Sequence, residues 1–154
     1  MHKRIAIFPG TFDPYTLGHH DIVSRGLKIF DHIFIAIGNN PKKNRYFDIN
    51  LIKEKIHKLY SSNPSIDVVN YNKLTAKLAK DLNANFILRG LRNTTDFEFE
   101  NSISQINKDL NSNLETIFLI TSPKLAPISS SIIRDVIRYG GDINKYLPYN
   151  ILKD

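Results

Sequence analysis

Residues 4–21 read R-I-A-I-F-P-G-T-F-D-P-Y-T-L-G-H-H-D. The apolar run 5–8 enters Pro9-Gly10, a short polar turn follows, and Gly18-His19 stand where a helical pattern opens. Thr11, Thr16 and His19 are thereby gathered where a helix begins. Such a place offers free backbone N–H groups and the positive end of the helix dipole, which favour phosphates. A histidine there can add a hydrogen bond or a full charge to a phosphoryl oxygen. A lone Gly-His pair is usually an ordinary turn with a surface histidine. Two prolines, two glycines and an aspartate within residues 9–18, in strand–turn–helix order, make the phosphate-site reading the stronger one.

Outward from this unit, strand and helix alternate to the end of the chain. Short apolar runs rich in β-branched and aromatic residues predict strands at 5–8, 33–37, 66–69, 86–88 and 116–120. Between them Val23, Leu27 and Phe30 recur at helical spacing, as do Ile52, Ile56, Leu59 and Tyr60, and then Leu74, Leu78 and Leu82. Phe99, Ile103, Ile106 and Leu110 give the strongest helical period, with Thr95 and Glu98 before them as a capping-box pair. A last helix is expected to start near Ser129, carry Ile133, Val136 and Ile137 inward, and stop at Gly140-Gly141. The repeated βα order predicts one Rossmann-like α/β domain over 1–154, a five-stranded parallel sheet with helices on both faces. Ligands of such sheets sit at the carboxyl ends of the strands, near a switch in strand order.

Composition sets the outer limits. The 154 residues suit one compact domain, and 42% hydrophobic with 23% charged residues is ordinary for a globular protein. The chain has no cysteine, so it has neither disulfides nor a thiolate metal site, which fits a reducing compartment. The apolar stretch near the N-terminus breaks at Pro9-Gly10, too early for a signal-peptide core, and no run reaches membrane-spanning length. The formal net charge of +6 favours anionic partners. Its basic residues are spread along the chain, without zinc-finger spacing or an aromatic RNA-binding motif, so a nucleic-acid binder is a weak competitor.

Three loops at the predicted carboxyl edge carry further chemistry. Asn39-Asn40-Pro41-Lys42-Lys43-Asn44-Arg45 reads most simply as a solvated basic loop, but its place opposite Gly18-His19 makes phosphate binding credible, with one lysine turned inward. Arg89-Gly90-Leu91-Arg92 combines close backbone approach with two planar donor groups, suited to phosphate oxygens, although the same pair serves in structural ion pairs. Asp96, Glu98 and Glu100 follow; acidic residues in a first helical turn are dipole partners and caps, which accounts for Glu98 and leaves Glu100 free to reach a ribose hydroxyl. Ser129-Ser130-Ser131 supplies hydroxyls and N–H groups at a helix start; capping needs one serine, and three suggest a second phosphate cradle.

Thr16-x-Gly18-His19 and Ile128-Ser129-Ser130-Ser131-Ile132-Ile133-Arg134 resemble the T-x-G-H and I-S-S-S/T-x-x-R signatures of the nucleotidyltransferase superfamily. With Pro41-x-Lys43, Arg89-Gly90-Leu91-Arg92 and Asp96-Phe97-Glu98-Phe99-Glu100 in order between them, essentially the whole chain resembles the bacterial phosphopantetheine adenylyltransferases. That resemblance implies ATP and 4′-phosphopantetheine as substrates, dephospho-coenzyme A and pyrophosphate as products, and Mg²⁺ carried on phosphates without a protein ligand set. It further implies a cytoplasmic homohexamer with no nucleic-acid or membrane partner. His19 would stabilise the transition state, Thr11 and Lys43 would hold the attacking phosphate, and Arg89 and Thr75 would bind the same substrate. Thr11, Phe12, His19, Gly90, Leu91, Arg92 and Glu100 would shape the ATP site. Leu125, Ala126, Pro127, Ile128, Ser129, Ser130 and Ser131 would enclose adenine and phosphates. Two departures from the family pattern stand out: Leu125-Ala126-Pro127 where an aromatic residue is usual, and Phe99 where tyrosine is common. The nearest rival is a superfamily member acting on nicotinate mononucleotide or glycerol 3-phosphate, against which Arg89-Gly90-Leu91-Arg92 and the short chain argue. A catalytically silent nucleotide sensor is disfavoured by the intact His19 and three serines.

Overall fold

The computed structural model describes residues 2–151. In chain order the elements are β1 (Ile5–Gly10), α1 (Leu17–Gly26), β2 (His32–Gly38), α2 (Ile49–Leu59), β3 (Ile66–Tyr71), α3 (Thr75–Asp81), β4 (Phe86–Leu91), α4 (Thr94–Leu110), β5 (Glu115–Ile120) and α5 (Ser130–Arg138), followed by a 3₁₀ turn at Asn144–Tyr146. The strands form one sheet in the order β3-β2-β1-β4-β5 with every neighbouring pair parallel. The chain thus runs outward on one side of β1, then returns to the other side through β4, and the switch in direction falls between β1 and β4.

Because strand side chains alternate, each strand feeds two cores. Ala6 and Phe8, Ile33, Ile35 and Ile37, Val68 and Leu88 face one way and pack on Ile22 and Val23 of α1, Ile52 and Ile56 of α2 and Ile133 of α5. Ile7, Ala36 and Ile87 face the other way, against Ala76, Leu78 and Ala79 of α3. Both faces are therefore covered, as near-continuous apolar strands require.

α1 ends at Gly26 and α3 spans Thr75–Asp81, so Leu27, Phe30, Leu74 and Leu82 fall outside the helices their spacing predicts. α4 differs from the sequence expectation in two ways. The first is its N-cap, Asn93, whose side chain accepts from the Asp96 N–H at 2.9 Å, so Thr95 and Glu98 do not form the cap. Asn93 caps as well as threonine does and stands earlier, so the helix begins there. The second is the apolar period of α4, which is real but does not point into the core. Phe99 is 67%, Ile106 62% and Leu110 53% exposed, while the residue α4 buries is the charged Glu100.

Candidate active site

The crevice opens because β1 and β4 pair only at Ala6–Phe86 and Ile7–Ile87 and then part. Pro9 lies in β1 beyond that point; its missing N–H costs no ladder bond to β4 there, and its carbonyl accepts from the Arg89 guanidinium. The sequence reading ends the fourth strand at residue 88 and puts Arg89, Gly90 and Leu91 in the loop after it. They belong to β4 itself, since β5 continues the ladder opposite them at Phe118, Leu119 and Ile120. Two adjoining cavities fill the crevice, one of about 640 Å³ and one of about 210 Å³. Pro9, Gly10, Thr11, Gly38, Arg89 and Glu100 line both, so these residues form the partition.

The larger cavity gathers most of the residues that the sequence singled out. Thr11, Phe12, His19, Lys43, Arg89, Gly90, Arg92, Glu100, Ile128, Ser129, Ser130 and Ser131 all line it. Lys43 is on the wall and Lys42 is not. Thr75 lines the smaller cavity, its hydroxyl 3.1 Å from the Tyr71 hydroxyl. Leu91, Leu125, Ala126 and Pro127 are not on either wall. The 125–128 turn instead meets the helix mouth through its backbone, with the Leu125 and Ile128 carbonyls 4.0 Å from where a side chain on Gly18 would begin.

His19 owes its geometry to the start of α1. Thr16 is the N-cap, and Thr16 and His19 form a capping box in which the imidazole takes the place of the usual carboxylate. The Thr16 backbone N–H donates to His19 Nδ1 at 2.9 Å. Nδ1 is thereby an acceptor, and the proton of the neutral ring sits on Nε2. The rings of Phe12 and Tyr15 hold the imidazole from the sides at centroid distances of 4.9 and 5.4 Å. Tyr15 is fully buried, and its hydroxyl joins a chain through Tyr60 to His20 Nδ1, each link 2.7 Å. Burial, and then the Arg89 and Arg92 guanidinium groups, push the His19 pKa from 6.5 to about 3. In the substrate-free site the neutral donor is therefore the form present at neutral pH.

The remaining polar groups are held by partners. Both carboxylate oxygens of Glu100 accept from Arg89, through Nε at 2.8 Å and through Nη2. This leaves two of the five guanidinium N–H donors of Arg89 uncommitted. Arg92 forms a similar fork with Asp96 at 3.0 and 3.2 Å. The three serines divide their work. Ser129 caps α5 through the Ile132 N–H, Ser130 donates to the Pro14 carbonyl at 2.8 Å, and Ser131 accepts from Arg134 at 3.2 Å.

Sequence reasoning assigned no role to Asp13, Arg45 or Arg134, which shape the first turn. The Asp13 carboxylate, 4% exposed, accepts from the Tyr46 and Phe47 N–H groups, both at 2.8 Å. Arg134 donates to the Asp13 carbonyl at 2.7 Å. Arg45 donates to carbonyls of the turn. The advance signals were the placement of Asp13 between two prolines of the motif, of Arg45 at the end of the basic loop, and of Arg134 as the arginine that ends the I-S-S-S-x-x-R string.

The sequence model of the Cytidylyltransferase-like family matches residues 7–136. A phosphopantetheine adenylyltransferase of Cytophaga hutchinsonii is 57% identical over 149 residues, covering 97% of this chain and 99% of its own. One from Flavobacterium psychrophilum is 52% identical over 145 residues, covering 94% and 95%. Among solved structures, a bifunctional NMN adenylyltransferase/ADP ribose pyrophosphatase of Francisella tularensis, in complex with AMP and a Mn ion, superposes with a TM-score of 0.69. At 14% identity, covering 97% of this chain and 45% of that one, it shares the fold.

Proposed function

The chain belongs to the Cytidylyltransferase-like family and, within it, to the phosphopantetheine adenylyltransferases, and from that premise we propose how its two cavities divide the reaction. The activity is transfer of the adenylyl group of ATP to 4′-phosphopantetheine, giving dephospho-coenzyme A and pyrophosphate in coenzyme A biosynthesis. The observation that carries the division is the shared partition: Thr11 and Arg89 line both cavities, and His19 lines the larger one beside them. ATP would occupy the larger cavity and the pantetheine arm the smaller, past Thr75, so that the two phosphates meet at the partition.

A phosphate monoester has a second pKa near ~6 and is largely dianionic at neutral pH, so its oxygen needs no general base. That oxygen attacks the α-phosphorus in line, the bond to the β-phosphate oxygen breaks, and pyrophosphate leaves with the electron pair. His19 Nε2–H donates to an α-phosphoryl oxygen as charge gathers there. Thr11, Lys43 and the two uncommitted N–H groups of Arg89 hold the incoming phosphate. Phe12, Gly90, Arg92 and the N-terminal end of α5, with Ser129, Ser130 and Ser131, shape the nucleotide side. Mg²⁺ would accompany ATP in this reading and would supply charge neutralisation to its phosphates. Among the described residues no group of three or more His, Cys, Asp or Glu side chains is placed to hold a metal ion.

The decisive assay is pyrophosphate release from ATP. It should require 4′-phosphopantetheine, and equal or better turnover with nicotinate mononucleotide would overturn the substrate assignment. Lys43→Ala should raise KM for phosphopantetheine or lower kcat with the circular dichroism spectrum intact, whereas Lys42→Ala, off the wall, should be nearly silent. A larger defect at Lys42 would show that the other lysine faces the substrate.

Assembly and location complete the reading. The exposed stripe Phe99, Ile106 and Leu110 on α4, beside the edge strand β5 with Ile120 76% exposed, is an apolar face of the kind that subunit contacts cover. It supports self-assembly, for which the family resemblance implies a homohexamer. Light scattering should find the wild-type protein assembled and Ile106→Glu shifted to smaller species; a monomeric wild type would overturn it. Among the described residues no helix is long and apolar enough to cross a membrane. We place the enzyme in the cytoplasm, with small phosphorylated substrates rather than nucleic acid or a membrane as its anionic partners. The gathering of basic and hydroxyl groups inside one concave site supports that choice.

A further inference from the structure

Arg45 closes the basic loop after β2, and its charge invites the reading that it is a third phosphate ligand beside Lys43. It does lie on the wall of the larger cavity, but most of its donors are spent on backbone carbonyls. Nη1 donates to the Thr11 carbonyl at 2.7 Å and to the Gly38 carbonyl at 3.4 Å, Nη2 to the Phe12 carbonyl at 3.2 Å, and Nε to the Phe47 carbonyl at 3.2 Å. Four of the five N–H groups of a guanidinium are thus committed to backbone oxygens of three separate segments. In return the Asp13 carboxylate binds the Tyr46 and Phe47 N–H groups. Arg45 reaches into the Thr11 turn while Asp13 of that turn reaches back into the loop. Phe12, between the two carbonyl contacts on the turn, has a φ of 47°, in the left-handed region that non-glycine residues rarely adopt, so the turn needs external bonds to keep this shape.

We propose that Arg45 is a positioning residue that locks the Thr11 turn to the loop carrying Lys43, so that the two groups gripping the incoming phosphate keep a fixed separation. The inference rests on the reading of Thr11 and Lys43 given above. It follows from chemistry that lysine cannot reproduce: an ammonium is a point donor, whereas the planar fork reaches several carbonyls at once.

The test compares steady-state kinetics of wild type, Arg45→Ala and Arg45→Lys for both substrates. Arg45→Ala should raise KM for 4′-phosphopantetheine by about tenfold, the scale of one lost hydrogen bond to a charged group, with a clearly smaller rise in KM for ATP through the Phe12 contact. Guanidinium at a non-denaturing concentration should restore part of that loss in Arg45→Ala and none in Lys43→Ala, which separates positioning from general destabilisation. Arg45→Lys should show the same selective rise in KM; it carries the test by itself if the alanine variant does not fold. Near-wild-type kinetics of Arg45→Lys would mean that charge alone matters and would overturn the proposal. An equal rise in both KM values without guanidinium rescue would also overturn it. A wild type without phosphopantetheine-dependent turnover would overturn the underlying reading together with this inference, whereas an active wild type with unaffected Arg45 variants would overturn this inference alone.

Discussion

His19→Ala is expected to lower kcat by ~10²-fold or more, the usual scale for one lost donor aimed at developing charge, while ATP affinity changes far less. The capping box fixes the direction of the donor: with Nδ1 occupied by the Thr16 N–H, Nε2–H is left for the substrate. Since the folded His19 titrates at about 3, it stays neutral through the working range. The acidic limb of the kcat/KM profile, which reports free enzyme and free substrate, should then show the second ionisation of the substrate phosphate, near ~6, and not the histidine. Stability carries the complementary signature. Between pH ~6.5, the ordinary value for an unfolded histidine, and the folded value of about 3, the unfolded chain binds the extra proton. Stability therefore falls as pH drops through that window, and the neutral His19 carries no such penalty above it. Urea midpoints at pH 5 and 7 should differ less in His19→Ala than in wild type. Matching losses of ATP affinity and turnover in the variant would point instead to ground-state binding.

Asp13→Ala should be the most destabilising of the substitutions considered, at about 2 kcal/mol, because two part-buried N–H groups each lose a charged acceptor at the lower end of the ~1–3 kcal/mol scale. The carboxylate is 4% exposed, and the Tyr46 and Phe47 N–H groups point at it from the far loop. Asp13→Asn keeps one acceptor oxygen and should lose about half as much. Turnover should fall in both variants along with the order of the Thr11 turn. Equilibrium urea unfolding decides: a loss within ~0.5 kcal/mol, as at an ordinary surface site, would show that the loop holds its shape without this contact.

The alternation of strand and helix, the parallel sheet and the helix mouth at Thr16 and His19 were all legible in the sequence, and so was the start of α5 at Ser129. Each depends on side chains within a few residues of one another: a period of two or of 3.6, a cap, a turn. Even there the reading had a limit. Thr16 and His19 looked like substrate groups, and the structure shows that they are also a capping box.

What the tertiary structure decided lies between segments distant in the chain. Only the splaying of β1 from β4 shows why Pro9 is tolerated in a central strand, and only the packed sheet shows that Glu100 is spent on Arg89. Arg45 and the two lysines near it are alike in sequence; their difference arises from which carbonyls the folded turn presents. The apolar stripe of α4 has the same period whether it faces a core or solvent, and periodicity cannot tell the two apart. By itself the sequence determined the elements, their order and the local chemistry of the helix mouth, because those are set by neighbouring residues. The structure decided which charges are free to meet a substrate, because a hydrogen bond across the fold depends on the position of its partner, and no local pattern encodes that.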